Sequence, residues 1–459
     1  MSSAQRFPAG EPLPLVGHRS PAAIAAWRRG VAVTAGRLLA DVRCAAAALP
    51  DRGHVLNGCT DRYCFAVALL AAVARGQTTL LPPATTPALV RAMREHAPDA
   101  YFVSEDESME MDLPRAPLAF SAPGDPEAGE APFVDATHVA AIVFTSGSTG
   151  EPQPHAKTWG SLARSVRAEA LRLGITGPGH AILGTVPPQH MYGLESTVLL
   201  PLLSGAALTA ERPYYPADID DAIGRIPPAR TLVTTPFHLR NWLASGEVAR
   251  IETLLSATAP LSEALAREAE ERTGARLLEI YGCTETGQLA TRRPTQSPEW
   301  LAFDGIGLRE KDGRVWASGA HVDEPTALSD VIEIVPGGEG RFLLHGRSAD
   351  VVNIAGKRNS IANLNHQLTA IPGVLDGVFH FPDEAESGGV TRLVAFAVAP
   401  GLTPAAILSA LRERIDPAFL PRPLVIVEAL PRRVTGKIPL EALRELAATA
   451  SAARSRGGA

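Results

Sequence analysis

The sequence has little of what several protein classes require. Its four cysteines, Cys44, Cys59, Cys64 and Cys283, have neither the paired spacing of a metal site nor the density of a disulfide framework. The apolar run at 65–74 is too short to span a bilayer. The net charge of -6 provides no broad basic field, which disfavours nucleic acid and anionic membranes as partners. We therefore expect a soluble globular protein that acts on small molecules or other proteins.

A secretion signal is also missing from the sequence. Residues 1–20 have neither the basic flank nor the apolar core of a signal peptide. Since the cysteines fit a reducing compartment, we expect a cytoplasmic location. The length of 459 residues and the hydrophobic content of 46% are better suited to two or three domains than to one.

Helical and strand-like segments alternate along the first 280 residues. A helix capped by Asp61 and ending at Ala74 precedes a strand at 78–81, and a second helix runs from Thr86 to His96. Further helices should start near Thr235 and Ser262. Further strands are predicted at 101–103, 138–144, 181–186, 231–234 and 276–280. This alternation predicts an α/β fold with mainly parallel sheets flanked by helices.

The pattern changes after Gly346 to that of a smaller α+β unit. Helices are predicted at 361–370 and 404–415, and strands at 374–381 and 392–398. We therefore divide the chain into a large domain at 1–347 and a small C-terminal domain at 348–459. The tail at 447–459 is nearly all Ala, Ser, Arg and Gly, so we expect it to fray.

A loop rich in glycine and hydroxyl groups follows the strand at 138–144. Glycines let backbone N–H groups turn toward an anion, and hydroxyls add donors around polyphosphate oxygens. The loop lacks the spacing and the lysine of a Walker motif, which disfavours a P-loop ATPase or kinase. The predicted phosphate-binding residues are Thr145, Ser146, Gly147, Ser148, Thr149 and Gly150.

The stretch Phe144-Thr-Ser-Gly-Ser-Thr-Gly-Glu-Pro152 resembles the signature of adenylate-forming enzymes. That superfamily includes acyl- and aryl-CoA synthetases, acyl-carrier-protein ligases, adenylation domains of peptide synthetases, and luciferases. Four more motifs follow in the family's order, at 189–193, 281–285, 346–358 and 431–437. Five motifs in order across most of the chain make the resemblance specific.

The resemblance implies a role for each residue of the nucleotide site. Tyr281 would stack on adenine, Thr284 would bond the α-phosphate, and Glu285 would hold Mg²⁺, a cation that prefers oxygen ligands. Asp330 would accept hydrogen bonds from the ribose hydroxyls, and Arg347 would donate to the same sugar. The expected cofactors are therefore ATP and Mg²⁺.

Other motif residues are assigned to catalysis and to the thiol acceptor. Lys437 resembles the catalytic lysine that stabilises negative charge during adenylation. His190 is expected to contact the acyl pocket and not to act as a base, because the carboxylic acid is already ionised near neutral pH. Gly356 would permit close approach of a thiol, and Arg358 of the same motif is assigned to cofactor contacts.

The sequence departs from the family pattern at several positions. The family's Pro-Lys-Gly becomes Pro-Gln-Pro at 152–154, and Lys157 is a candidate to restore the lost charge. Ala349 replaces the acid or lysine that commonly serves as a hinge. The stretch between Glu285 and Asp330 is shorter than in typical relatives, which predicts a reduced β-rich subdomain.

Two functions remain open on this basis. The first is a ligase that forms an acyl- or aryl-adenylate and transfers the acyl group to the thiol of CoA or of a phosphopantetheinyl carrier protein. The small C-terminal domain would rotate between the steps. The second is a degenerate nucleotide-binding scaffold without turnover. The chain most resembles small stand-alone acyl- or aryl-acid ligases.

A basic surface for CoA phosphates or an acidic carrier protein could comprise Arg412, Arg414, Arg422, Arg432 and Arg433.

Overall fold

A computed structural model describes most of the chain, namely residues 11–82, 85–125, 127–146, 152–347, 351–354, 357–381, 392–432 and 438–456. The strands of these residues are β1 (Leu13–Pro14), β2 (Ile24–Arg28), β3 (Val31–Thr34), β4 (His54–Asn57), β5 (Thr78–Leu81), β6 (Tyr101–Val103), β7 (Phe133–Val134), β8 (Val139–Ser146), β9 (Pro152–Thr158), β10 (Ala181–Gly184), β11 (Ala207–Thr209), β12 (Arg230–Thr234), β13 (Thr253–Ser256), β14 (Arg276–Cys283), β15 (Gly287–Arg292), β16 (Trp300–Ala302), β17 (Gly307–Lys311), β18 (Arg314–Gly319), β19 (Val322–Ala327), β20 (Asp330–Ile334), β21 (Arg341–Arg347), β22 (Val351–Ile354), β23 (Lys357–Ser360), β24 (Asp376–His380), β25 (Val394–Val398) and β26 (Leu424–Ile426). The helices are α1 (Ala35–Ala48), α2 (Arg62–Ala74), α3 (Pro87–His96), α4 (Trp159–Leu173), α5 (Met191–Gly193), α6 (Leu200–Ser204), α7 (Pro216–Gly224), α8 (Pro236–Ala244), α9 (Glu263–Thr273), α10 (Ile361–Thr369), α11 (Pro404–Arg412) and α12 (Leu440–Arg456), with a π-helix at Leu194–Leu199 and a 3₁₀ turn at Pro417–Phe419.

Two large mixed sheets carry the first part of the chain. The smaller has the order β6-β4-β5-β8-β9 and is parallel except for β9. The larger has eleven strands in the order β20-β21-β16-β15-β14-β13-β12-β10-β11-β2-β3. Its centre, from β14 to β2, is parallel, and its edge strands are antiparallel. The predicted α/β fold class is confirmed, with sheets more mixed than expected.

Local capping explains where the main helices begin. The side chain of Asp61 accepts from the backbone N–H of Cys64 at the start of α2, and Ser262 caps α9 in the same way. Both helices start where the sequence predicted. Nearly every residue of α2 is buried, so its apolar run belongs to the core. Among the described residues, no helix is long and apolar enough to cross a membrane.

A small antiparallel sheet of β17, β18 and β19 lies within the stretch between the motif at 281–285 and Asp330. A β-rich unit is therefore present where the sequence predicted one, and its reduced size relative to the family stays a prediction. The sheet contacts β20 through β18. It therefore lies next to the edge strands that carry Asp330 and Arg347.

The C-terminal elements form hydrophobic clusters of their own. One cluster includes Leu364 and Leu368 of α10 together with Phe379 and Ala395 of the sheet β24-β25-β26. This small α+β unit agrees with the predicted fold class. The predicted domain boundary between 347 and 348 adjoins residues 348–350, which lie outside the described residues, and it stays a prediction.

The predicted fraying of the tail is wrong for 447–456, which lies in α12. Alanine, leucine, glutamate and arginine all favour helix, and the helix is anchored at its start. Leu443 is buried in a cluster with Phe396, and Leu446 and Ala447 pack against it. The alanine-rich composition of the tail did not reveal the apolar face of α12.

Candidate active site

The motif at 281–285 lies in a tight hairpin at the carboxyl end of a central strand. It begins in β14, continues through a turn at 284–286, and is followed by β15. Gly287 has a φ of +76°, and a Cβ there would lie 3.0 Å from Glu195 Oε1. Glycine is therefore needed for both conformation and space. Open α/β sheets bind ligands beyond the carboxyl ends of their strands, so the hairpin stands at a suitable position.

Tyr281 and Asp330 are brought together although 49 residues separate them. The Tyr281 hydroxyl donates to Asp330 Oδ2 over 2.8 Å. The Tyr281 ring is edge-on to Trp300 and Phe342, with centroids 5.8 Å away in each case. In the antiparallel register of β20 and β21, the backbone of Asp330 lies opposite that of Arg347. Three residues that the sequence assigned to adenosine thus occupy neighbouring positions.

Thr284 and Glu285 lie in the turn, with Glu285 exposed and Thr284 half-buried. Partial burial raises the pKa of Glu285, but hydrogen bonds from its own N–H and Cys283, and the charges of His155 and Lys157, lower it below its usual value. The carboxylate is therefore ionised at neutral pH. The described residues contain no cluster of three or more metal-binding side chains. A single carboxylate fits Mg²⁺, which is usually held by one or two carboxylates together with substrate phosphates and water.

The strand that returns from the phosphate loop reaches the same hairpin. In β9, His155 Nε2 lies 3.0 Å from Thr145 Oγ1, and Lys157 Nζ donates to the main-chain oxygen of Glu285 over 2.8 Å. Gln153, which replaces the family's lysine, is exposed. Lys157 therefore contacts the back of the hairpin. His155 was not predicted, although alternation along a strand puts it on the same face as Lys157.

His190 directly precedes a single helical turn, α5, which leads into the π-helix. A Cβ on Gly193 would lie 1.9 Å from the oxygen of Pro187, so only glycine fits there. The Tyr192 hydroxyl lies 3.1 Å from the main-chain oxygen of Thr234 and 2.9 Å from that of Leu255, at the carboxyl ends of β12 and β13, and its one proton is shared between them. The predicted pocket segment therefore lies over the strand ends. π-Helical turns often occur at functional sites.

Arg62 supports this segment and was missed by the sequence analysis. Its guanidinium is fully buried and donates to the Thr197 hydroxyl and to four main-chain oxygens, those of Gly184, Val186, Thr209 and Glu211. Burial lowers the pKa of Arg62 to about 10, so it stays charged. The contacts join the ends of β10 and β11 to the π-helix. An arginine in the first turn of an apolar helix was the only available signal.

Two buried acids lie behind the hairpin and were also missed. Glu195 in the π-helix accepts from Ser165 Oγ over 2.6 Å, and burial raises its pKa to about 7. Glu169 in α4 is fully buried, and burial raises its pKa to about 8. Acids at apolar positions of helices carry no sequence signal of burial.

Several predicted site residues cannot be placed. Outside the described residues lie Gly147, Ser148, Thr149, Gly150, Ser348, Ala349, Gly356, Arg433 and Lys437, and nothing is described of the side chains of Ser146, Arg347 and Arg358. Of the proposed basic surface, Arg412, Arg414 and Arg422 are exposed. Arg432 instead forms a two-pronged ion pair with Asp376, with both N–O distances 2.6 Å. This pairing makes it a poor phosphate ligand.

Known proteins resemble the chain in both sequence and fold. Residues 17–308 match the AMP-binding enzyme family. The 4-coumarate–CoA ligase of Rhodobacter capsulatus is 30% identical over 309 residues, which cover 65% of this chain and 74% of that protein. A probable 2-succinylbenzoate–CoA ligase of Mycobacterium tuberculosis is 27% identical over 334 residues, covering 66% and 84%.

The structural likeness extends over nearly the whole chain. ATP-bound MatB from Rhodopseudomonas palustris has a TM-score of 0.78 at 21% identity, covering 93% of this chain and 96% of that one. O-succinylbenzoate coenzyme A synthetase from Bacillus subtilis, in complex with ATP and magnesium ion, has a TM-score of 0.75 at 19% identity, covering 91% and 96%. The family match includes the motifs from Thr145 to Glu285, and the fold agrees beyond it. The chain therefore belongs to the AMP-binding enzyme family of the adenylate-forming superfamily.

Proposed function

We propose that the protein is an ATP-dependent acid–thiol ligase. A carboxylate oxygen of the acid attacks the α-phosphorus of ATP, the bond to the β-phosphate breaks, and pyrophosphate leaves. A thiol then attacks the carbonyl carbon of the acyl-adenylate, so that a C–S bond replaces the C–O bond to AMP and the thiol proton is released. The observation that carries this proposal is the Tyr281–Asp330 hydrogen bond next to the Glu285 turn, because it joins two distant residues that the motifs assign to the same nucleotide.

The charge of the site suits phosphoryl chemistry. Glu285 would hold Mg²⁺ against the polyphosphate, while Thr284 would donate to the α-phosphate. Asp330 and Arg347 would bind the ribose from adjacent strands. Fixed positive charge lowers the barrier as negative charge accumulates on the α-phosphate and leaving group. This supports adenylation over simple nucleotide storage.

The C-terminal residues would supply the remaining parts. Lys437 would stabilise the adenylation transition state, and Gly356 would let the thiol approach. A domain at 348–459 would rotate about Ser348 and Ala349 to exchange these residues between the two steps.

CoA is the proposed acceptor, and a carrier protein is the competing one. Relatives named for CoA ligation support this order. Relatives are also named as ligases of 4-coumarate, indoleacetate and 2-succinylbenzoate, which supports an aryl acid as substrate. The competing acid class is a fatty acid.

Exchange of labelled pyrophosphate into ATP tests the first half-reaction. We expect exchange that depends on an added acid, tested over a panel of aryl and fatty acids. No exchange with any acid, together with tight ATP binding, would instead establish a scaffold without turnover. Formation of ADP in place of AMP would establish a kinase-type or ATPase-type reaction. Offering CoA and a phosphopantetheinyl carrier protein in parallel then identifies the acceptor.

Lys437→Ala separates the two half-reactions. We expect it to suppress pyrophosphate exchange, while thioester formation from supplied acyl-adenylate continues. Lys311→Met on the exposed hairpin of β17 and β18 is the matched control. Equal loss of both steps would contradict the proposed role of Lys437.

A further inference from the structure

Lys157 is unusual because this chain uses arginine for nearly all of its positive charges. Of 43 lysine and arginine residues, only four are lysines, at positions 157, 311, 357 and 437. The Lys157 side chain is 7% exposed. An ammonium is a compact charge with three donors, whereas a guanidinium is a wide planar fork, so the two are not interchangeable at a buried contact.

On one side of the hairpin, Lys157 holds the main chain of the metal-binding turn. Its Nζ donates to the oxygen of Glu285 over 2.8 Å. Burial lowers the pKa of Lys157, but the charges of Glu195, Cys283, Glu285 and Asp323 oppose that effect. A peptide oxygen held by a buried charge cannot rotate freely. The restrained peptide plane limits the direction in which the Cα–Cβ bond of Glu285 leaves the turn.

On the other side, Glu195 lies beside the first residues of β15, just after the turn. Its carboxylate accepts from the Ser165 hydroxyl over 2.6 Å, and the backbone N–H of Gln288 offsets part of the rise that burial causes in its pKa. Glu195 is 1% exposed, and Gly287 leaves room for its carboxylate. Buried side chains therefore contact the hairpin on both sides, Lys157 at Glu285 in the turn and Glu195 beside Gly287 and Gln288 just after it.

We propose that Lys157 and Glu195 are positioning residues that brace the turn at 284–286 and so direct the Glu285 carboxylate toward Mg²⁺. This inference rests on the proposed function. It also accounts for Gln153, which stands where the family has a lysine. The positive charge that this position lacks is supplied by Lys157, behind the metal-binding turn. Neither residue needs to touch ATP, because both act through the main chain of the hairpin.

If Lys157 and Glu195 brace the turn, their loss should raise the Mg²⁺ concentration that the enzyme needs without weakening its binding of adenosine. In Lys157→Met, a hydrogen bond from a charged donor is lost, which should raise the Mg²⁺ concentration for half-maximal pyrophosphate exchange by about 10- to 100-fold. Glu195→Gln should shift it in the same direction. Adenosine affinity should change less than about twofold, because Tyr281 and Asp330 are untouched. Lys157→Arg should restore only part of the loss.

The experiment measures Mg²⁺ half-saturation, maximal exchange rate and adenosine affinity for each variant, with Lys311→Met as control. The double variant Lys157→Met/Glu195→Gln should lose less than the product of the single losses, since both residues act on one turn. An unchanged Mg²⁺ dependence, or equal loss of adenosine affinity and metal use, overturns the brace. If Lys157→Met does not fold, Glu195→Gln decides alone. If the wild-type protein shows no exchange, the proposed function fails, and the Mg²⁺ dependence of ATP binding still tests the brace.

Discussion

Glu169→Gln should make the protein more stable at alkaline pH. Glu169 is fully buried in α4. Burial raises its pKa to about 8, the charge of Glu195 adds to this rise, and Ser196 and Gln288 oppose it in part. With the described residues, neither carboxyl oxygen makes a hydrogen bond of good geometry. The folded protein therefore keeps a proton on Glu169 at neutral pH.

The sign and size of the effect follow from proton linkage. Below about pH 4.5 the carboxyl is protonated in both states, so it contributes no pH dependence. Between about pH 4.5 and about 8 the unfolded chain has lost the proton and the folded protein has kept it, so stability falls with rising pH. The unfolding equilibrium shifts tenfold per pH unit, for a total of about 5 kcal/mol. Glutamine resembles the protonated acid and does not titrate.

Urea unfolding from pH 5 to 8, followed by tryptophan fluorescence, measures this difference, and one of the five tryptophans, Trp159, is buried at the start of α4. The advantage of Glu169→Gln over the wild type should grow with pH, reaching a few kcal/mol at pH 8. Glu271→Gln, on the exposed side of α9, is the control and should leave the curve unchanged. Parallel wild-type and Glu169→Gln curves would refute the argument.

Three further substitutions test other contacts. Arg62→Met should destabilise the fold by about 3–5 kcal/mol in urea, because buried oxygens lose their donor; a loss under about 1 kcal/mol would contradict the role given to Arg62. Tyr281→Phe should weaken ATP binding about tenfold by calorimetry, since the Asp330 carboxylate loses an orienting donor, and unchanged affinity would count against that contact. Arg240→Ala removes a 2.8 Å bond to the oxygen of Leu375, so hydrogen exchange should speed up at 374–380; equal protection would show that this bond does not hold the C-terminal unit.

Element boundaries could be predicted where the signals are local. Thr235 and Ser262 accept hydrogen bonds from backbone groups three residues ahead, and α8 and α9 begin there as expected. A helix cap needs only neighbours in sequence, so composition and spacing suffice. The C-terminal tail shows the limit of the same reasoning. Its alanine-rich composition suggested fraying, but one buried leucine, Leu443, anchors α12.

Contacts between distant segments could not be predicted in this way. Lys157 meets Glu285 across 128 residues, and Arg62 meets Thr197 across 135. These pairs depend on the order of strands in two sheets, which no local pattern specifies. The Tyr281–Asp330 pair was placed at one site only because the motifs resemble those of a known superfamily.

The buried charges of this site share a property that explains why they are there. Arg62 and Lys157 direct their donors mainly to main-chain oxygens at strand ends and turns, and Glu195 accepts from a backbone N–H. Where a strand ends, its peptide groups lose their ladder partners, and a buried peptide group without a partner is costly. Apolar packing cannot satisfy it, whereas a charged side chain can satisfy one or several at once. Buried charge is therefore one way to hold irregular backbone rigid next to a ligand. Here Arg62 bonds to backbone at the start of the loop that carries His190, and Lys157 bonds to the turn that carries Glu285.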